Sequence, residues 1–317
     1  RHLDPTIVAV GTPAGTHMEM IPYLLEQRRH VFVDKPLGTN AAHARALYEQ
    51  AARAGVKTAY AASFRYQPQA LLAARLVQQG HVGRVLEVEC VSHYNWPRLT
   101  SFGWPHRLDQ GGGRLNNNFT HKLAIVLRVV GGSVLAAMGE TRNDLKRVPV
   151  GPRIHDFRDF TQLTLTAAEA AQAEWREVDS DWSYTALLRI GDPGRPEDAV
   201  SATFRHSCLL PAWTEDYIAF YGDEGAIHID GAYASGEVRL KRKGIGWEEL
   251  PVPGDINDNL PAIADSTQRN WTQLAREFCA DLRGEGNAGY LSFRDGWLFQ
   301  ETIDAVRAGS GWVSIPV

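Results

Sequence analysis

Three short apolar runs, separated by helical stripes, constrain the fold of this chain more than any other feature. The runs are Thr6-Ile7-Val8-Ala9-Val10, Val31-Phe32-Val33 and residues 56–62. Continuous β-branched runs of this kind are typical of strands that are buried on both faces of a parallel sheet. The β-α-β-α-β alternation therefore predicts an α/β unit with right-handed crossovers.

Local signals place the first two helices between these runs. Thr16 and Glu19 have the spacing of a capping box, which predicts the start of a helix. Thr39 or Asn40 is expected to cap the second helix, and Gly55 is expected to end it.

The pattern changes near residue 66, where successive strands replace the alternation. Within 65–83 a helix is predicted that is entered through Pro68 and ended by Gly80, and further helices are predicted over 116–130, 271–282 and 293–308. Strands are predicted over 85–93, 161–166, 183–190, 199–206, 215–221, 225–230, 236–241 and 312–315. The predicted architecture is a parallel-sheet α/β unit at 1–66, followed by an α+β domain with a large open antiparallel sheet at 67–317.

Composition excludes several classes of partner. A formal net charge of -4 and the absence of a dense Lys/Arg stripe argue against nucleic-acid binding. No apolar run is long enough to cross a bilayer, so no membrane partner is expected. Three widely spaced cysteines form neither a metal pattern nor a disulfide framework. We therefore expect no metal and a cytoplasmic location, although a targeting segment could precede Arg1.

Apolar residues alternate along two of the late strands. Ile218, Phe220, Ile227 and Ile229 would cover one face of the open sheet, against either helices or a second subunit. A homodimer or homotetramer through this sheet is expected.

Polar residues follow the predicted parallel strands, where α/β proteins bind ligands. Lys35 ends the second strand in VFVDKPLGTN, and its alternative role is that of a solvated turn residue. Arg65 and Tyr66 follow the third strand in SFRYQP, where a plain interdomain hinge is also possible. In GGGRLNNNFTHKL, Asn117 and His121 lie one helical turn apart. That histidine is either a general acid or base or a packed core residue.

Taken in order, VAVGTPAGTHMEM, HVFVDKPLGTNAAHARALYEQAARAGVKT, SFRYQP and GGGRLNNNFTHKL resemble the glucose–fructose oxidoreductase/inositol dehydrogenase/rhizopine-catabolism (Gfo/Idh/MocA) family. The resemblance runs from Val8 to about Gly132, and only the layout matches beyond that point. It implies a Rossmann domain that binds NAD or NADP. It also implies an open-sheet domain that binds a sugar-like substrate and usually forms the dimer interface.

The resemblance also implies roles for individual residues. It places Lys35, His121 and Asn117 in catalysis, Thr12, Pro13, His17, Asp34, Lys35 and Arg65 at the cofactor, and Tyr66 and His121 at the substrate. Lys35 would stabilise a developing alkoxide, and His121 would exchange the hydroxyl proton. Asn117 stands where many members have aspartate. In HYNWPRLTSFGWPHRLD, Trp104 and Arg107 are further substrate candidates, and packing within the loop is the alternative.

The implied function is hydride transfer between a nicotinamide cofactor and a sugar, polyol or inositol-like substrate. An NAD-dependent glycosidase of the same family and a non-catalytic dimeric binding protein are the alternatives. No G-x-G-x-x-G turn occurs between Arg1 and Asp34. By comparison with the family layout, 1–66 is expected to be the remnant of a Rossmann domain whose first units, roughly 60 residues, are absent, and to bind dinucleotide poorly.

Overall fold

The computed structural model describes residues 4–154, 163–210, 215–286 and 289–316. Its first part is a parallel sheet with the strand order β1-β2-β3. Strands and helices alternate here as predicted: β1 (Ile7–Val10), α1 (His17–Glu26), β2 (His30–Val33), α2 (Ala41–Ala54) and β3 (Thr58–Tyr60).

The ends of α2 and the start of α1 lie where the sequence signals predict them, with Thr16 at the N-cap of α1. The Asn40 side chain accepts a hydrogen bond from the His43 N–H at 2.9 Å, and Gly55 ends α2 with a left-handed φ of 67°. The predicted capping box at Thr16 and Glu19 is wrong. The Thr16 hydroxyl instead donates to the Pro13 carbonyl at 2.9 Å, inside the turn that precedes α1.

The second part begins with α3 (Pro68–Gln78), β4 (Val85–His93) and a π-helical turn, Leu115–Phe119, that leads directly into α4 (Thr120–Val130). The next elements are β5 (Ser133–Arg142), β6 (Arg147–Pro149), α5 (Ala167–Gln172), β7 (Trp175–Glu177), β8 (Ser183–Gly191), β9 (Val200–Ser207) and β10 (Asp216–Gly222). The last are β11 (Gly225–Asp230), β12 (Val238–Arg242), β13 (Trp247–Leu250), α6 (Gly254–Asp258), α7 (Ser266–Leu282), α8 (Phe293–Ala308) and β14 (Val313–Ser314).

Within the described ranges, the large sheet has the order β13-β12-β11-β10-β4-β9-β8-β5-β14. Its pairs are antiparallel except β4 with β9, which confirms the predicted mostly antiparallel sheet. A strand was predicted over 161–166, of which residues 161–162 lie outside the described ranges. The prediction is wrong for residues 163–166, where Thr164 makes only an isolated bridge to Thr100. The sequence patterns also missed β5.

Helices cover the inner face of this sheet. Ile218, Phe220, Ile227 and Ile229 are fully buried in the main core, together with side chains of α3, α4 and α8. Of the two alternatives, these residues therefore form the helix-packed face. The idea that they meet a second subunit is wrong, because their side chains point to the inner side.

Helices from the end of the chain return to the first sheet. Trp271 of α7 packs on Phe32 of β2 with ring centroids 5.2 Å apart, and the Tyr60 N–H donates to the Leu291 carbonyl at 2.7 Å. Helix α8 packs against both α2 and β5. These contacts fix the small sheet relative to the large one and hold the cleft between them.

Candidate active site

A cavity of about 650 Å³ lies where the small sheet meets the second part of the chain. One wall is formed by the carboxyl ends of β1 and β2, and the other by loop residues of the second part. The lining residues are Gly11, Thr12, Pro13, Ala14, Asp34, Lys35, Pro36, Phe102, Gly103, Trp104, Arg107, Gln110, Gly111, Asn116, Asn117, Arg153 and Ile154. Its position and size suit a small-molecule or cofactor site.

Lys35 projects from the end of β2 into this cavity, as predicted. Burial lowers the pKa of its ammonium to about 8, and the nearby charge of Arg114 acts in the same direction. Asp34 opposes both effects, but burial raises the pKa of that carboxyl. The Asp34 carboxylate also accepts a hydrogen bond from the Lys35 N–H at 2.7 Å. Lys35 therefore loses its proton far more readily than an ordinary lysine.

The π-helical turn carries Asn117 to the cavity wall, and His121 lies further along the same helical segment. Both side chains are 9% exposed. Burial lowers the pKa of His121 well below its usual value, and the positive charges of Lys35 and Arg114 lower it further. His121 is not among the residues that line the cavity. A neutral imidazole can take the proton of a hydroxyl group.

Arg114 is a charged group of this site that the sequence patterns did not reveal. It is 2% exposed, and its Nε donates to His206 Nε2 at 3.0 Å. Its Nη1 reaches Asn117 Oδ1 at 3.4 Å. Its guanidinium stacks on Trp96, 4.6 Å from the ring centroid. Arg114 thereby orients Asn117 and adds a second positive charge behind the cavity.

The predicted cofactor residues divide into two groups. Thr12 and Pro13 line the cavity beside Asp34 and Lys35. His17 is fully buried, with Nδ1 3.0 Å from the Leu37 carbonyl and Nε2 3.0 Å from the Thr12 carbonyl. Burial lowers its pKa. Both ring nitrogens are thus used within the protein, and His17 shapes the Thr12 turn rather than lining the cavity.

Arg65 and Tyr66 are not brought to the cavity. The Tyr66 hydroxyl donates to Glu277 Oε2 at 2.6 Å on α7, and Tyr66 is not among the residues that line the cavity. Arg65 is 8% exposed, and burial lowers its pKa. The charges that act on it belong to Tyr66, Arg128, Asp295 and Glu277, not to Lys35 or His121. Of the three residues predicted to converge on one cleft, only Lys35 lines the cavity, and His121 and Arg65 do not.

Trp104 and Arg107 line the same cavity as Lys35, together with Phe102 and Arg153. The Arg107 Nε donates to Asp109 Oδ1 at 3.0 Å. Aromatic faces together with charged hydrogen-bond donors suit a ligand that has both C–H faces and hydroxyl groups.

The wall at the end of β1 fits the nicotinamide end of a dinucleotide. Apart from its chain neighbours, no described residue has a heavy atom within 4 Å of the position that a Cβ on Gly11 would take, so there is open space above the strand end. Thr12 and Lys35 line the same cavity. A flat ring and a ribose could lie there, with Thr12 and Asn117 as hydrogen-bonding partners.

In the ranges that the structure describes, no group of three His, Cys, Asp or Glu side chains could hold a metal ion. Over the same ranges, the helices are too short or too polar to cross a membrane.

Family models match most of the chain. A model described as "Oxidoreductase family, NAD-binding Rossmann fold" matches residues 1–62. The model of the GFO/IDH/MocA C-terminal domain matches residues 70–228. The two matches meet close to the predicted change of pattern near residue 66.

Several relatives are similar over almost the whole chain. A dTDP-3,4-didehydro-2,6-dideoxy-alpha-D-glucose 3-reductase from Saccharopolyspora spinosa is 30% identical over 97% of this chain and 80% of its own length. A levoglucosan dehydrogenase from Pseudarthrobacter phenanthrenivorans is 24% identical over 99% of this chain and 80% of its own length. Among solved structures, a levoglucosan dehydrogenase complex with NADH and L-sorbose has a TM-score of 0.80 at 17% identity. The match covers 99% of this chain and 80% of that chain.

Proposed function

Because this chain belongs to the GFO/IDH/MocA family of NAD-binding oxidoreductases, we propose that its cavity transfers hydride between a nicotinamide cofactor and a hydroxyl-bearing carbon of a sugar. The observation that supports the proposal is that Lys35 and Asn117 line one cavity at the carboxyl ends of β1 and β2, with the neutral His121 following Asn117 in the same helical segment and subject to the charge of Lys35. When bound, NAD would supply the hydride acceptor.

The residues of the chain would handle the charge and the proton. As a C–H bond gives up hydride, the hydroxyl oxygen becomes more acidic, and the ammonium of Lys35 stabilises the developing negative charge. The proton of that hydroxyl passes to His121, which is neutral at physiological pH because of its surroundings. Asn117, held by Arg114, would orient the hydroxyl by hydrogen bonding.

The substrate class follows from the opposite wall and from the relatives. Phe102 and Trp104 offer aromatic faces, and Arg107 and Arg153 offer N–H donors. The relatives are named for levoglucosan, D-xylose and a dTDP-linked deoxysugar. We propose a sugar or a related cyclic polyol on this wall, and NAD rather than NADP as the cofactor.

A steady-state assay tests the proposal. The protein as its gene encodes it would be incubated with NAD or NADP and with levoglucosan, D-xylose and myo-inositol in turn. We expect net NADH formation with at least one sugar. Release of an aglycone from a glycoside without net NADH would instead support the glycosidase alternative. If none of the probes gave either NADH formation or release of an aglycone, the oxidoreductase proposal would be rejected for this sugar class.

The pH dependence of the reverse reaction should report Lys35. With NADH the nicotinamide is neutral, so only the protein sets the charge around the lysine. Because its pKa is lowered to about 8, the ammonium is present below that pH and is lost above it. Because His121 must be protonated to return the proton in this direction, kcat/KM for carbonyl reduction should already fall about tenfold per pH unit below pH 8, and the slope should steepen to about a hundredfold per unit above pH 8, where the ammonium of Lys35 is lost as well. A slope that does not steepen between pH 8 and about pH 10 would contradict a role for the charge.

We also propose that the chain forms a homodimer or homotetramer through the outer face of the large sheet. Leu187, Thr203 and Glu89 lie side by side on this face in neighbouring strands, and Tyr221 is 38% exposed there. Light scattering at micromolar concentration should show an oligomer. Leu187→Glu should shift it toward monomer, because it buries a charge in the interface. Ile245→Glu, in the β12–β13 turn, is the control. A monomeric wild-type protein would contradict the proposal.

A further inference from the structure

Tyr233 lies in a tight turn, residues 231–236, that follows β11. Its φ is 54°, and that of the next residue, Ala234, is 58°. Both values belong to the left-handed region, which is unfavourable for residues with a Cβ. Such conformations persist where surrounding contacts hold them, and they cluster at functional sites. The contacts of Tyr233 therefore bear on its role.

Those contacts lead to the proposed general base. The Tyr233 ring stacks on Phe64 with centroids 4.7 Å apart and an interplanar angle of 3°. His121 meets both rings edge to face, at 5.2 Å from Tyr233 and 4.6 Å from Phe64. We refer to Phe64 and Tyr233 as the aromatic clamp.

The turn is also tied to helix α4 and to its ion pair. The Gly231 N–H donates to the Asp216 carbonyl at 2.8 Å. The Asp216 side chain forms a buried ion pair with Lys122, whose Nζ lies 5.9 Å from the centroid of the Tyr233 ring. Asn118 Nδ2 reaches the Tyr233 hydroxyl at 3.5 Å. The turn thus contacts the helical segment that carries His121 at several points.

His121 needs such support because hydrogen bonds do not orient it. Its Nδ1 is buried without a hydrogen-bond partner in the described parts of the chain. The titratable groups around the imidazole are Lys35 and Arg114 from the cavity side, Tyr233, and the Lys122–Asp216 pair beside it on α4 and β10. Packing against the clamp is therefore what can fix the ring.

We propose that Tyr233 is a positioning residue that, together with Phe64, holds the imidazole of His121 in one orientation and shields it from water. The inference rests on the proposed function for the role of His121. In that reaction the hydroxyl O–H bond breaks, its proton passes to Nε2 of His121, and the hydride leaves to the nicotinamide. The ring of Tyr233 is needed for this, and its hydroxyl group is not.

Nuclear magnetic resonance of ¹⁵N-histidine-labelled protein tests the proposal without a substrate. His121→Asn identifies the His121 signals among those of the 11 histidines. In wild type and in Tyr233→Phe, His121 should remain neutral down to a pH well below the usual pKa of histidine. In Tyr233→Leu it should become protonated at a clearly higher pH, because water reaches the ring. Turnover with NADH should fall about tenfold in the leucine variant alone.

Ala234→Gly is the matched control, because it changes the same strained turn without touching the clamp, and it should titrate like wild type. Phe64→Leu provides the same measurement if Tyr233→Leu does not fold. Unchanged titration of His121 in both leucine variants would overturn the proposal. A loss of turnover in Tyr233→Phe equal to that in Tyr233→Leu would also overturn the proposal, since the hydroxyl group would then be required. Full activity of His121→Asn would reject the proposed function instead, whatever the titration shows.

Discussion

Replacing Lys35 with methionine is expected to lower kcat/KM for the sugar about a thousandfold while the protein remains folded. Methionine keeps the length of the side chain but removes the charge that faces the developing alkoxide. The loss should appear mainly in kcat, because that charge interacts more strongly with the transition state than with the neutral hydroxyl. Affinity for the dinucleotide should change little. Steady-state kinetics and calorimetric titration of NADH measure the two quantities separately.

Lys57→Met is the matched control for this prediction. Lys57 precedes β3 of the same sheet, and its Nζ lies 2.7 Å from Asp281 Oδ1, in a partly exposed ion pair away from the cavity. Its replacement should leave kcat/KM within about twofold of wild type, since exposed ion pairs contribute little. If Lys35→Met retained more than a tenth of the activity, the proposed role of the ammonium would be wrong.

Replacing Lys122 with methionine should have the largest effect on stability. Lys122 and Asp216 form an ion pair in which both side chains are 1% exposed. Tyr94 also donates to the Asp216 carboxylate. Removing the lysine leaves a buried carboxylate without its counter-ion, which typically costs about 3–5 kcal/mol. The urea concentration at the midpoint of unfolding should fall accordingly.

The double variant Lys122→Met/Asp216→Leu should be less destabilised than Lys122→Met alone, because it leaves no unpaired charge. Lys243→Met, which removes one partner of the exposed Lys243–Glu224 pair, serves as control and should unfold like wild type. If Lys122→Met unfolded at the wild-type midpoint, this account of the pair would be wrong.

The first sheet could be predicted from sequence because its signals are local. Each of its strands is a short apolar run, and the ends of α2 are marked by Asn40 and Gly55. Strand β5, SVLAAMGETR, has few β-branched residues, so its sequence gives little indication of a strand. It forms because it pairs with β8. A Cβ on Gly139 would lie 2.2 Å from the Thr185 carbonyl oxygen, which shows how closely the two strands approach.

The candidate site could be predicted in part. Lys35 and Asn117 belong to motifs whose positions at strand and helix ends fix where their side chains go. The burial of Arg114 beside His206 and the packing of Tyr233 on His121 depend on strands far along the chain, which no local pattern indicates. The motif around Tyr66 predicts its position after the third strand of the small sheet. The direction of its side chain depends on the hydrogen bond to Glu277 on α7, a residue far along the sequence.

In the proposed reaction, Lys35 and His121 act on one sugar carbon that exchanges hydride with nicotinamide. The most direct measurement is the fate of deuterium at that carbon. Levoglucosan and D-xylose, each deuterated at its oxidisable carbons, would be incubated with NAD and the wild-type protein. Mass spectrometry and proton spectra of the recovered dinucleotide then show whether C4 of the nicotinamide carries the label.

We predict that deuterium appears at C4 with wild-type protein and with Lys57→Met, and that label transfer is slowed about a thousandfold in Lys35→Met. Absence of label from the dinucleotide with every deuterated sugar, in a protein that binds NADH, would contradict the account. Equal transfer by wild type and Lys35→Met would contradict it as well.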